Sequence, residues 1–374
     1  MHPQDALHEV RRRWLAAVLR GETPPWSDEL GDPLAALDAA IAEGVVGLVD
    51  AAVTPRRDIW PLPSEFRSGV AEAARAEVVS TLLRESECRR ILRCLDEHHL
   101  QPVLLKGSSL AYWAYAAPHL RPCVDIDLLL RSRAEAEQAM AILAGIGYVP
   151  FSRTPPGDLV YYELGCSRAF GAMQIAADLH WNIGGSSLFA DRFSSDELFA
   201  AAIPLPVLAP TARGLGAVHA YIHNCTHRAL QLHQGVGDVL KWHLDLHQLA
   251  RHFSDADWER LATLCEQREL AGACDDAMRA STACFNCAVP EPIADRLARA
   301  RNAEKLDIAR LHSWKYMEYR NFMALPTWRQ RMRWLAQRVR PDPVYLDDMY
   351  GGRWRGYAGY LRKGLRKFFG DKIY

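Results

Sequence analysis

No run of apolar residues in this 374-residue chain approaches the ~20 needed to span a bilayer. The most apolar stretch near its start, residues 36–53, is broken by Asp38, Glu43 and Asp50, so no membrane-spanning helix is expected. Residues 1–20 carry Asp5, Glu9 and an arginine run in place of the apolar centre of a secretory leader; the cytoplasm is the expected compartment. The nine cysteines are an odd count scattered through apolar surroundings, as at Cys225 and Cys265. That reads as reduced core thiols rather than a disulfide framework. Cys284 and Cys287 form one CxxC, but no second Cys or His pair stands at zinc-finger spacing. There is no GxxxxGK[ST], no GxGxxG after a strand and no HExxH, so P-loop, dinucleotide and zincin chemistry lack their motifs. Internal repeats and low-complexity segments are also missing.

Net charge is absent as well, with 45 Lys+Arg against 45 Asp+Glu. The hydrophobic fraction of 49% and charged fraction of 24% are those of a globular protein and exclude a disordered, collagen-like or coiled-coil chain. At roughly 150 residues per domain the length allows two to three domains. The zero is the sum of two opposite terms. Residues 301–374 hold 17 Lys+Arg against 7 Asp+Glu, and residues 1–300 hold 28 against 38. An acidic body with a basic tail can mark a charged partner.

The hydrophobic rhythm predicts helices over 1–20, 30–53 and 66–99, the last with Val79, Leu82, Leu83, Ile91, Leu92 and Leu95 at helical spacing. Strands are expected at 102–105, 124–130, 159–164 and 173–181, and helices at 108–115 (Ser108 or Ser109 as N-cap) and 134–145. Long helices return over 211–233 and 236–253, with more across 255–286. The expected division is a helical region 1–99, an α/β catalytic core 100–208, a helical subdomain 209–300 and a basic, aromatic-rich helical tail 301–374. Alternating strands and helices at 100–182 argue for a sheet with helices packed on it.

The most informative segment is Val124-Asp125-Ile126-Asp127-Leu128-Leu129-Leu130. Side chains on a strand alternate faces, so Val124, Ile126, Leu128 and Leu130 share one face while Asp125 and Asp127 stand together on the other. Two carboxylates so close disfavour joint ionisation. Mg²⁺, which takes hard oxygen ligands and substrate phosphates, would compensate them; an ordinary solvated strand face is the bland alternative. Lys106-Gly107-Ser108 follows a strand and opens a helix, where free backbone N–H groups suit phosphate and Lys106 adds a charge. A plain strand-to-helix turn fits the same residues. In 175–181 Asp178 and His180 share a face opposite Ile175, Ala177, Leu179 and Trp181. A third carboxylate on a neighbouring strand could complete a two-metal site.

The combination of Leu105-Lys106-Gly107-Ser108-Ser109, Arg121, Asp125-Ile126-Asp127-Leu128-Leu129 and Asp178-Leu179-His180-Trp181 resembles the uncharacterised nucleotidyltransferase family of the polymerase-β-like superfamily. The resemblance implies an α+β fold, with a small mixed-sheet nucleotidyltransferase core embedded in a largely helical chain. It implies NMP transfer from an NTP, ATP being the expected donor, to an acceptor hydroxyl on a peptide, small molecule or RNA end, with release of pyrophosphate. Asp125, Asp127 and Asp178 would be catalytic carboxylates and ligands of two Mg²⁺ ions, or of Mn²⁺ in their place. Lys106, Gly107, Ser108 and Arg121 would hold the phosphates, and Lys241 would add a triphosphate contact from a closing helical subdomain. The motifs cover about 100–182; weaker similarity continues into the helical region and to 340–346. The gap from Ser108 to Asp125 is longer than in many polymerase-β-like enzymes.

Three features stand beside this reading. His219, His223 and His227 form one helix stripe at i, i+4 and i+8, open to a cleft-facing role, a metal or plain packing. Lys241 and Asp245 could be a simple i,i+4 pair. In the tail, Arg interleaves with Trp328, Trp334, Trp354, Tyr357, Tyr360, Phe368 and Phe369. That pattern suits single-stranded nucleic acid or a membrane surface, or a final helix whose Leu361, Leu365, Phe368 and Phe369 pack on the body. Peripheral membrane contact is not the expected partner mode. The alternatives are a non-catalytic NTP- or peptide-binding module, a membrane-surface protein, or a DxD glycosyltransferase. The last would need an α/β nucleotide-binding region of ~100 residues before the motif, where this chain reads as helical.

Overall fold

Helical periodicity accounts for both ends of the chain and alternation for its middle. The computed structural model describes residues 3–151, 157, 159, 162–171, 173–233, 237–350 and 353–369. The first helices are α1 (Pro3–Leu19), α2 (Pro33–Ala42), α3 (Val46–Val53) and the long α4 (Ser64–Glu97). The single helix expected over 30–53 is two, because the chain turns at Gly44, whose φ of 68° favours glycine. Asp32 caps α2 by accepting from the Leu34 N–H, with Pro33 at the first helical position.

The middle then alternates: β1 (Val103–Leu104), α5 (Lys106–Leu110), β2 (Asp125–Leu129), α6 (Arg133–Gly145), β3 (Val149–Pro150), β4 (Glu163–Phe170), β5 (Met173–His180), α7 (Ser195–Ala200), β6 (Ile203–Pro204) and β7 (Arg213–Gly214). They form one mixed sheet in the order β3-β4-β5-β2-β1-β7-β6. The β2–β5 pair is parallel, and β1–β2 and β4–β5 are antiparallel. Three expectations change here. The strand expected at 159–164 begins at Glu163 and runs on to Phe170, since it is one arm of a tight hairpin with β5. The helix expected from 211 starts at Ala217, because Gly214 pairs with Leu104 and Ile203. That close approach also puts Gly214 against Ser109 with no room for a side chain. Neither Ser108 nor Ser109 is an N-cap; Leu105 holds that position.

Helices follow again as α8 (Ala217–His233), α9 (Leu240–Ala250), α10 (Asp255–Arg268), α11 (Ala271–Phe285), α12 (Glu291–Ala303), α13 (Trp314–Ala324), α14 (Trp328–Val339), α15 (Pro343–Tyr350) and α16 (Arg353–Phe369). One apolar core runs from Trp14 through Leu129, Tyr221 and Leu264 to Leu311, so the N-terminal and central helices share an interior with one face of the sheet. A second core, from Cys88 and Ile91 to Ile126, Leu143, Ala177 and Leu179, lies between α4, α6 and the other face. No helix among the described residues is long and apolar enough to cross a membrane. The tail departs from the packed-helix reading: Leu361 and Leu365 of α16 are exposed, and Phe368 and Phe369 lie outside the described side chains.

Candidate active site

The site forms where β2 and β5 run side by side. Their register sets Asp127 opposite Asp178 and Leu129 opposite His180. The β4–β5 hairpin then brings Glu163 opposite His180 and Gly165 opposite Asp178. Four carboxylates therefore gather on one sheet face, as the strand alternation of Asp125, Asp127 and Asp178 predicts. A Cβ at Gly165 would sit 3.1 Å from Asp178 Oδ1 and clash with the Phe151 ring.

Two cations lie among them. Lys106 Nζ donates to Asp127 Oδ1 at 2.7 Å, and the His180 ring bridges Asp127 Oδ1 at 2.9 Å and Glu163 Oε2 at 3.0 Å. Asp127 is buried. Burial opposes its ionisation, but Lys106 and His180 together hold its carboxyl well below the usual carboxylate range. Burial likewise opposes the His180 imidazolium, yet its bonds to Asp127 and Glu163 lift the ring to about 9. Among the described residues Asp178 has no such partner. Burial and the neighbouring Glu163 push it up to about 7, and burial with Asp127 raises Asp125. With all four carboxylates ionised, Lys106 and a protonated His180 leave two negative charges over; a divalent ion that took His180 as a ligand would first displace its ring proton and so meet three. Among the described residues Asp127, Asp178 and His180 offer three ligand atoms within 4.8 Å of one another, a group that fits a divalent metal.

The turn before this strand is strained and tightly built. Lys106 takes a φ of 47°, unusual for a residue with a side chain. That conformation accompanies the reach of its ammonium back to Asp127. Ser108 Oγ donates to the Asp125 carbonyl at 3.0 Å and accepts from the Asp127 N–H at 3.3 Å, so its hydroxyl clamps α5 onto β2. At Gly107 a Cβ would lie 2.6 Å from Cys123 Sγ and 2.7 Å from Arg121 Nη1. Glycine is needed there for the packing of Arg121 and Cys123.

Lys106, Asp125, Glu163, Asp178 and His180 open onto a cleft of about 770 Å³. His223 and His227 of α8 line it, with Trp314 and Asn321 of α13, Trp334 and Arg338 of α14, and Tyr345 and Tyr360 beyond. The helix stripe thus divides. His223 and His227 face the cleft, while His219 bonds Glu197 at 3.2 Å. His223 Nδ1 and Ser186 Oγ are buried in this lining without a hydrogen-bond partner among the described residues. Burial, then Lys106 and His180, push His223 down to about 3.

Arg121 and Lys241, which the family resemblance implied as phosphate contacts, are not among the residues that line this cleft. Arg121 is buried and grips Asp245 with two bonds, Nε to Oδ1 at 2.6 Å and Nη2 to Oδ2 at 2.7 Å. The Tyr115 hydroxyl donates to the same carboxylate at 2.7 Å. Asp245 is therefore the partner of Arg121 across the fold rather than of Lys241 one turn away. Lys241 packs its stem over Gly44, and burial lowers its ammonium.

Glu163 and the tail residues of the cleft are the members that sequence reasoning missed; His180 was placed on the face of Asp178 but given no role in the site. The signal for Glu163 was the glycine at 171 between two apolar runs, since the close of the hairpin at Phe170 and Met173 fixes every pair along β4 and β5.

Neither the curated proteins nor the solved structures compared with the chain give a match. The profile of a family described as uncharacterised nucleotidyltransferase matches residues 30–309, a span that holds the glycine-serine turn, the DxD strand and Asp178; the chain belongs to that nucleotidyltransferase family.

Proposed function

We propose that the protein is a polymerase-β-like enzyme that transfers NMP from an NTP, ATP first among them, to an acceptor hydroxyl on a peptide, small molecule or RNA end. The observation that carries the reading is the β2–β5 register, which places Asp178 beside Asp127 and one step from Asp125 at the floor of a large cleft. Asp125, Asp127, Asp178 and His180 would hold divalent metal, Mg²⁺ or Mn²⁺, which when bound supplies charge neutralisation for the triphosphate and for the attacking and leaving oxygens. Nucleotidyl transfer needs in-line positioning and electrostatics more than covalent chemistry, and this chain's residues suit that demand. Lys106 fixes the Asp127 carboxylate and adds positive charge at the cleft. Ser108 clamps the turn onto β2, Gly107 lets it pack on Arg121 and Cys123, and the turn's backbone beside Lys106 would meet the phosphates. Asp178, on the acceptor side, is placed to receive the hydroxyl proton. Trp314, Asn321, Trp334, Arg338, Tyr345 and Tyr360 line the same cleft and would give the acceptor its surface.

The test is pyrophosphate release with each of the four NTPs and Mg²⁺, alongside Asp125→Asn and Asp127→Asn. Release that is metal-dependent and lost in both variants is the expected result. An Asp125→Asn/Asp127→Asn protein that still consumed NTP would overturn the assignment. Tight Mg²⁺-dependent NTP binding with no release under any acceptor mixture would instead favour a non-catalytic binding module.

A further inference from the structure

The tail helices have a second face, which the cleft does not use. On α14, Trp334, Gln337 and Arg338 turn inward to the cleft. On the other side of the same helix, Trp328, Met332, Leu335 and Val339 follow one another at steps of four, three and four, which is one stripe. All four stand in water, with 67%, 46%, 38% and 56% of their surface exposed. On α16, Leu361 and Leu365, one turn apart, are 40% and 56% exposed and line an open apolar hollow with Ala358. The two helices adjoin: Tyr357 and Tyr360 donate from α16 to the carbonyls of Val339 and Arg338 at the end of α14. An amphipathic helix ordinarily turns its apolar stripe to the core; here the stripe is turned outward.

Beside the stripe run Arg329 and Arg333, exposed and sharing one side of the helix, with exposed Arg340 just past its end and Arg362 and Arg366 exposed beside the α16 leucines. The sequences of α14 and α16 hold four and six Lys+Arg and no carboxylate at all. Whatever covers this surface must be apolar at its centre and anionic around it. A nucleic acid offers the anion but asks for stacked aromatics, whereas this stripe is one tryptophan followed by Met, Leu and Val. A second copy would bring the same cations to the same stripe. An anionic bilayer surface satisfies both halves, since interfacial helices bury Trp and aliphatic side chains below the headgroups and meet the phosphates with arginine. We propose that α14 and α16 form a peripheral docking surface for anionic membrane, with the catalytic cleft opening behind it. The surface lies beyond residues 30–309, which the family profile covers, and the inference stands whether or not the site transfers nucleotides.

The full-length protein is sedimented with vesicles of phosphatidylcholine alone and of phosphatidylcholine mixed equally with phosphatidylglycerol. Binding is expected to the mixed vesicles only and to weaken with added salt. Arg329→Ser/Arg333→Ser should lower the partition coefficient about 25-fold, at roughly five-fold per cation. Trp328→Ser/Leu335→Ser should lower it while leaving the thermal midpoint unchanged, because both side chains are exposed. The tryptophan emission that Trp328→Phe removes should shift to the blue on binding. Three results would overturn the proposal. One is equal binding to neutral vesicles. Another is no vesicle binding by a protein that self-associates through this stripe. The last is retention on single-stranded RNA with none on vesicles.

Discussion

Replacing Arg121 by methionine separates two roles that the sequence alone cannot tell apart. If its guanidinium met phosphate, the variant would fold normally and bind NTP poorly. The structure puts it elsewhere: both side chains of the Arg121–Asp245 pair are buried, 6% and 0% exposed. Nη1 is also spent on the Pro122 carbonyl at 2.6 Å. In Arg121→Met the Asp245 carboxylate stays in the interior with Tyr115 as its remaining partner. Removing one member of a buried pair costs about 3–5 kcal/mol, a large share of the 5–15 kcal/mol typical of a folded domain. The midpoint of urea unfolding should fall by roughly 1 M or more. Arg121→Met/Asp245→Leu removes the stranded charge as well and should recover much of the loss, giving a coupling energy of several kcal/mol in a double-mutant cycle. At temperatures where the single variant is folded, its KM for NTP should match that of the parent. A single variant within about 1 kcal/mol of the parent in stability, but with KM raised tenfold, would refute the clamp and return Arg121 to the phosphates.

Gly107→Ala should destabilise the protein by roughly 1–3 kcal/mol through overpacking, read by thermal unfolding, and Cys123→Ala in the same chain should restore part of it, because Cys123 Sγ is the nearest atom to the added methyl. Lys106→Met should reduce pyrophosphate release by about 100-fold or more with the Mg²⁺ requirement intact; an unchanged rate would remove Lys106 from the site. The depression of His223 to about 3 makes the unfolded chain bind the extra proton below pH 6.5. Stability should therefore fall as pH drops from 6.5 toward 3, by up to ~1.4 kcal/mol per unit. His223→Gln should flatten that part of a stability–pH curve, and parallel curves for the two proteins would refute it.

The DxD strand was legible because its period of two is a local property: Ile126 and Leu128 had to be buried, and that fixed the side on which Asp125 and Asp127 stand. The face shared by Asp178 and His180 was legible for the same reason. What no local pattern holds is register between strands. Asp127 meets Asp178 only after the chain has made α6 and a hairpin, and Arg121 meets Asp245 across 124 residues. The alternative pairing of Lys241 with Asp245 used the one rule available within a helix, and a bidentate partner from a distant loop outweighed it. The outward stripe on α14 shows the opposite case. Its amphipathic pattern was present in the sequence, but the pattern says only that two faces differ and leaves open which one meets the core.

The buried members of the two apolar cores end at Leu311, with only Tyr316 and Met317 of α13 packed against the first from beyond it among the described residues. Leu325, Trp334 and Leu346 are buried, yet neither core includes them. The part of the cleft lining that comes from α14 and α16 thus rests on helices outside both cores, while the carboxylates are built into the sheet. In hydrogen exchange the amides of 328–369 should open well before those of β2 and β5. The cleft then has one side woven into a hydrogen-bonded sheet and one side that can loosen by itself, so the ordering of its two walls is separable in temperature and denaturant.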